Sequence, residues 1–169
     1  MTAAFLTHEQ QQLAERAAAR LVERGETVAV GEATTGGLVS AALLALPGAS
    51  RFYAGGAVLY TIGSRVALAG VPAEVYADYR GTTPDMLATL AEALRQRLGA
   101  TWCIAESGLA GPTGGRFGGA VGSTNLAVAG PVSRAEAIET GLSDRAANMV
   151  EFTTRTLAYL DAAISEASA

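Results

Sequence analysis

Two glycine-rich stretches hold the residues best suited to chemistry. The first is Gly31-Glu32-Ala33-Thr34-Thr35-Gly36-Gly37, set between an apolar run that reads as a buried strand and one that reads as a helix. Ligands of open α/β sheets collect beyond the carboxyl ends of strands. A helix N-terminus there offers free N–H groups and a partial positive charge. Thr34, Thr35 and the amides of Gly36 and Gly37 can therefore hold a phosphate or a carboxylate. The alternative is an ordinary capped strand–helix turn. The second stretch, Ser107-Gly108-Leu109-Ala110-Gly111-Pro112-Thr113-Gly114-Gly115, also leaves the end of an apolar run. Its glycines let backbone approach a ligand closely; otherwise it is a surface loop. Two such loops at strand ends point to one small-molecule pocket between them.

Other chemistries are excluded. Neither loop has the Lys-Ser/Thr pair of a P-loop or the spacing of a dinucleotide-binding turn. His8 is the only histidine and lies in a polar segment, so a serine–histidine triad and a metal site both lack ligands. There is no lysine, which removes Schiff-base chemistry and a lysine general base. Cys103, the only cysteine, reads as a core residue, and a chain that cannot form an internal disulfide suits a reducing compartment. Tyr60 is either a core aromatic or a pocket hydroxyl. Arg65 is either a solvated helix residue or an anion clamp. No cofactor is expected.

The elements that must position these residues follow from periodicity. Residues 7–24 read as an amphipathic helix, with Thr7 and Gln10 forming a capping box and Gly25 as its stop. Strands are expected at Thr27–Gly31, Phe52–Tyr60, Thr101–Ser107, Val121–Ala129 and Ala135–Thr140. Gly55-Gly56 in the second marks a bulge or a close backbone approach. Helices are expected at Thr35–Leu46, Ser64–Leu68, Glu74–Tyr79, Pro84–Leu98 behind a Thr83 cap, and Asp144–Ala163 behind a Ser143 cap. Gly108–Gly119 reads as irregular. Strands alternating with helices predict an α/β fold with helices on both faces of a mixed, mostly parallel sheet.

The 169 residues fit one domain over residues 1–169. Half are apolar, mostly Ala, Val and Leu, which suits close helix–sheet packing. The net charge is −4 and the twelve basic residues, all Arg, are scattered, which argues against nucleic acid as a partner. No apolar run is long enough to span a membrane, and the start of the chain lacks a basic leader. A cytoplasmic protein is expected.

The order of segments is itself recognisable. The run GEATTGGLVSAALLALPGASRFYAGGAVLYTIGSRVALAGV, and SGLAGPTGG followed by a Val-Gly strand, resemble the CinA C-terminal domain family (competence/damage-inducible proteins) in its stand-alone form. The resemblance implies a three-layer α/β/α fold and hydrolysis of the amide of nicotinamide mononucleotide to the nicotinate nucleotide and ammonia, a step of NAD salvage. It implies a first loop reading Glu-Ser-Cys-Thr-Gly-Gly, in which the serine is the nucleophile. Here Glu32, Thr35, Gly36 and Gly37 match, and Ala33 holds the serine's place. It implies a lysine base after the strand tyrosine. Tyr60 matches the tyrosine, and Arg65 stands for the lysine. The second loop is kept at Ser107, Gly108, Ala110, Gly111, Pro112, Gly114 and Gly115. Downstream, Gly119-Ala120-Val121-Gly122 replaces a Lys-Pro-Val-Gly, and Met149 replaces an arginine after Asp144-Arg145.

These departures fall on the chemistry. Alanine cannot attack an amide, and arginine does not accept a proton from a hydroxyl. Three readings follow. One is a catalytically degenerate member that keeps an anionic or nucleotide-like ligand, with Arg65 bound to that ligand or to Glu32. Another is an active amidohydrolase using Thr34, Thr35 or a Glu32-activated water. The third is a homo-oligomeric partner-binding module with a vestigial pocket.

Overall fold

The computed structural model describes residues 4–167; the reading of the first three residues lies outside them. Helix α1 (His8–Arg24) starts at the predicted capping box. Gln10 N donates to Thr7 Oγ1, and Thr7 N donates to the Gln10 side chain. Strand β1 (Val28–Glu32) is buried at every position. Helix α2 (Leu38–Leu44) is shorter than expected, because Thr35–Gly37 form the turn before it. Strand β2 (Tyr53–Val58), α3 (Ile62–Ala69), a 3-10 turn (Ala73–Tyr76) and α4 (Pro84–Leu98) follow. Thr83 caps α4 as read, and Gly99 ends it in the left-handed conformation.

Strand β3 (Trp102–Leu109) runs two residues further than expected, so Gly108 and Leu109 also belong to the sheet. Strands β4 (Ser123–Ala129) and β5 (Arg134–Glu139) lead to α5 (Arg145–Glu166). The cap of α5 is Asp144, not Ser143: Asp144 Oδ1 accepts from Ala147 N at 2.8 Å. A carboxylate suits that place better than a hydroxyl, because it also faces the positive end of the helix.

The sheet order is β2-β1-β3-β4-β5. Strands β1, β2 and β3 are mutually parallel, β4 is antiparallel to β3, and β5 is antiparallel to β4. Only β4 therefore runs against the others, which is the mixed, mostly parallel sheet expected. One core lies between the sheet and α1, α2 and α5, built on Leu21, Val30, Trp102, Leu157 and Leu160. The other lies under α3 and α4, built on Leu59, Leu87, Leu90 and Leu94. The sheet is thus covered on both faces, an α/β/α arrangement.

Gly55-Gly56 gives both features read from it. The β1–β2 register slips at Ala54, and a Cβ on Gly56 would lie 2.8 Å from the Val30 carbonyl oxygen. Gly108 is as tightly placed. A Cβ there would lie 2.5 Å from Thr124 Cβ, so glycine is what lets β3 and β4 stay in register beside the second loop.

Candidate functional site

The two glycine loops meet at the carboxyl ends of β1 and β3, and they are wired directly to each other. Thr34 Oγ1 donates to the Gly108 carbonyl at 2.9 Å and lies 2.7 Å from Gly108 N, which donates to it. Ala33 N donates to the Glu106 carbonyl. Thr35 N donates to Glu106 Oε2 at 3.0 Å. The parallel register places Glu32 and Glu106 side by side on neighbouring strands, with Thr35 bridging them.

The positive end of α2, read as a seat for a ligand anion, is filled from within. Glu32 is buried, and its Oε1 accepts from Thr35 Oγ1 at 2.7 Å, Gly37 N at 3.1 Å and Val39 N at 2.9 Å. Its Oε2 accepts from Ser40 N at 2.9 Å. A carboxylate from the preceding strand thus satisfies donors that a helix start leaves open. The hydroxyls of Thr34 and Thr35 are likewise spent inside the protein, not turned toward a ligand.

Glu106 is the residue that sequence reading missed. It is fully buried, and burial raises its carboxyl pKa, while hydrogen bonds from Thr35, Thr124 and Thr34 act the other way. The Thr35 hydroxyl carries one proton yet lies within hydrogen-bond reach of both carboxyl groups, at 2.7 Å from Glu32 and 3.1 Å from Glu106. A proton on Glu106 resolves that shortage. Because its native pKa is raised, the folded protein holds a proton that the unfolded chain releases above the ordinary value of 4.5. Stability from this group is complete at acid pH and falls as pH rises from there toward the native pKa. Glu106→Gln, which imitates the protonated form, is expected to gain melting temperature over the wild type progressively as pH rises above the ordinary carboxyl value of 4.5. Parallel melting profiles for the two proteins across that range would show that Glu106 stays ionised.

Arg65 is the remaining charge at the site. It sits midway along α3 and is only 3% exposed. Its Nε donates to the Leu59 carbonyl at 3.2 Å, one terminal nitrogen to Thr82 Oγ1 at 2.9 Å, and the other to Ser107 Oγ at 2.8 Å. All three acceptors are neutral, and among the described residues no carboxylate forms an ion pair with it. The expected alternative of an Arg65–Glu32 salt bridge is therefore not formed: Glu32 turns to the α2 amides instead. The Tyr76 ring lies 5.9 Å from the guanidinium. Thr82, also unforeseen, joins Arg65, Ser107 and Tyr79 Oη. Asn125 ties the Thr82 carbonyl to that of Ser107 by donating to both.

Ala33 is among the residues that line a cleft with Arg65, Ser107, Leu59, Leu87 and Leu90. In this conformation that cleft is closed, with no room for a water molecule. Tyr60 follows β2 and is 62% exposed, so it is not a core aromatic. The outer part of the second loop carries Gly111, whose carbonyl accepts from Arg145, together with Gly114 and Gly115. Phe117 stands at its tip, with the guanidinium groups of Arg80 and Arg116 at 5.3 and 5.5 Å and the edge of Tyr79 at 6.3 Å. Met149 reaches the first loop, 3.4 Å from where a Cβ on Gly36 would be. A separate concavity of about 420 Å³ lies away from the loops, between β5 and α5, lined by Arg134, Glu136, Arg155 and Tyr159. No group of three or more His, Cys, Asp or Glu among the described residues is placed to hold a metal ion. No helix among them is long and apolar enough to cross a membrane.

The CinA C-terminal domain family model matches residues 10–164, which takes in both loops and Arg65. The chain belongs to the CinA C-terminal domain family. A CinA-like protein of Prochlorococcus marinus is 45% identical over 111 residues, covering 66% of this chain and 26% of that protein. One from Anaeromyxobacter sp. strain K is 43% identical over 120 residues, covering 71% and 29%. The chain thus spans just over a quarter of the length of these CinA relatives. The crystal structure of a CinA superfamily protein from Klebsiella pneumoniae superposes with a TM-score of 0.86 at 25% identity, covering 93% of this chain and 98% of that one. A competence or damage-inducible protein from Enterobacter asburiae gives 0.85 at 26%, covering 92% and 98%. The CinA fold is therefore held nearly whole.

Proposed function

We propose that this CinA-family domain binds a small anionic or nucleotide-like ligand between its two glycine loops, and that it does not carry out the serine–lysine hydrolysis of a nicotinamide nucleotide amide. The observation that carries this reading is Arg65: a guanidinium 3% exposed, held by three neutral oxygens, with no carboxylate paired to it. Burying a cation without a counter-charge costs several kcal/mol, roughly, after local relaxation. An anionic ligand supplies the missing charge, and a planar fork of N–H donors suits a phosphate or carboxylate.

The routes to amide hydrolysis are each disfavoured by local geometry. Position 33 has no hydroxyl. Thr34 Oγ1 is engaged with Gly108, and Thr35 Oγ1 with two carboxyl groups. Glu32 takes four hydrogen bonds from protein donors, which leaves it poorly placed to activate a water. The test is ammonia release from nicotinamide mononucleotide. The wild type is expected to release none above background. Ala33→Ser combined with Arg65→Lys is expected to gain measurable turnover, since it restores nucleophile and base on an intact scaffold. Turnover by the wild type that the double substitution abolishes would sink this reading.

A further inference from the structure

The arginines are unevenly partnered. Six of the twelve form ion pairs with carboxylates among the described residues, and these lie on α1, α4, β5 and α5. The other six form none there, and four of those lie on or against the second glycine loop. Arg65 reaches Ser107, and Arg145 reaches the Gly111 carbonyl. Arg80 and Arg116 stand further out and are exposed. Both set their guanidinium against the Phe117 ring, at 5.3 and 5.5 Å. Asp78, the acidic residue nearest Arg80 in the chain, pairs with neither. In a chain of net charge −4 this is a local excess of positive charge.

Local structure holds the two outer guanidiniums together. The loop tip turns at Gly118 and Gly119, both in the left-handed region with φ of 90° and 107°. It folds back on Leu109, whose Cδ1 lies 2.8 Å from where a Cβ on Gly119 would be. That turn brings Phe117 to the edge of the Tyr79 ring, 6.3 Å away. Arg80 follows Tyr79 directly and so meets the same ring from a different segment. A cation against an exposed aromatic ring gains about 0.5–1 kcal/mol, which offsets part of the repulsion between the two. Both charges stay open to an anion. Tyr79 Oη lies 3.2 Å from Thr82 Oγ1, which accepts from Arg65. One short segment, residues 79–82, therefore links the exposed pair to the buried guanidinium.

We propose that Arg80 and Arg116, set in place by Phe117, clamp a phosphoryl group of the ligand that enters between the loops, a role that rests on the reading of that pocket given above. Each guanidinium is a planar fork of donors that matches phosphate oxygens in pairs. A carboxylate has two oxygens and is filled by one fork, whereas a phosphoryl group has oxygens for both. The patch is too small for an extended polyanion, since the acidic excess over the rest of the chain repels a nucleic-acid strand. Arg65 lies behind the clamp and is only 3% exposed. The ligand's phosphate thus stays at the mouth, and its other end faces Arg65. Because the clamp is exposed, it takes the phosphate while the inner cleft is still closed, and one sign of charge at the mouth raises the local concentration of the anion.

Isothermal titration with inorganic pyrophosphate, with nicotinate mononucleotide and with the riboside that lacks its phosphate tests this. Pyrophosphate is expected to bind the wild type. Arg80→Gln combined with Arg116→Gln is expected to weaken it by about tenfold or more while keeping the wild-type circular dichroism. Arg51→Gln combined with Arg97→Gln removes the same charge at the other end of the sheet, before β2 and at the close of α4, and is expected to change the affinity by less than about twofold. Loss of the nucleotide's phosphate is expected to cost the wild type about tenfold or more, and the Arg80/Arg116 variant less than about threefold. No pyrophosphate binding, equal weakening by the two double substitutions, or a phosphate worth as much to the Arg80/Arg116 variant as to the wild type would each overturn the clamp. So would an oligonucleotide that binds the patch more tightly than pyrophosphate. Pyrophosphate binding that the Arg80/Arg116 substitutions abolish, with no heat from the nucleotide or the riboside, would uphold the clamp and sink the pocket reading.

Discussion

Glu32→Ala is expected to destabilise the domain by about 3–5 kcal/mol, the range for removing one partner of a buried charged network. The substitution deletes a buried carboxylate that accepts four hydrogen bonds. It leaves the amides of Gly37, Val39 and Ser40 facing a void at the start of α2. That helix has only seven residues and no side-chain cap from Gly37, so it has little else to hold its first turn. For a domain of this size the loss corresponds to a melting temperature lower by about 10 °C. Glu32→Gln keeps the volume but replaces one acceptor oxygen with a donor nitrogen, and is expected to cost about half as much. Urea unfolding measures both. A loss below about 1 kcal/mol for Glu32→Ala would mean that water replaces the carboxylate at the amides.

Arg65→Met is expected to have the opposite profile, with a large effect on binding and a small one on folding. Removing one partner of a buried charge pair costs about 2–5 kcal/mol, so affinity for nicotinate mononucleotide should weaken by about 100-fold or more. The unliganded fold loses three hydrogen bonds to neutral oxygens but also sheds an unpaired buried cation, and these terms oppose each other. Thr82 and Ser107 remain bonded to each other, and Thr82 to Tyr79, which limits the cost further. Calorimetric titration and a thermal melt on the same preparation separate the two effects. Unchanged affinity would remove Arg65 from the site, and a collapse in melting temperature would make it a structural residue.

Much of the scaffold was legible because its signals are local. The Thr7–Gln10 box, the Gly25 and Gly99 stops and the Thr83-Pro84 start each use residues within four positions, and the structure places them as read. The boundaries moved where tertiary bonds decided them. α2 begins at Leu38 because Glu32 organises the turn before it, and β3 reaches Leu109 because Gly108 pairs with Thr124 on β4. The two loops were also legible as strand-end glycine clusters. Their inner wiring was not, because it joins residues far apart in the chain: Thr35 to Glu106 across 71 positions, and Arg65 to Ser107 across 42. The helix start was expected to receive a ligand anion, and it receives Glu32. That misreading had a cause, since a glutamate at the end of a strand gives no local sign of which way its carboxylate turns. Glu106 and Thr82 had no periodic or motif signal at all. Their position became meaningful once the register set Glu106 beside Glu32 and Thr82 beside Arg65.

The proposed ligand site rests on the buried Arg65 guanidinium that no carboxylate pairs, beside a loop with no nucleophile at position 33. Isothermal titration of the wild-type protein with nicotinamide mononucleotide and nicotinate mononucleotide addresses this most directly. Saturable heat is expected, with one ligand per chain and with both nucleotides left chemically intact at the end of the titration. No heat at roughly millimolar ligand, an affinity too weak to reflect a built site, would contradict it.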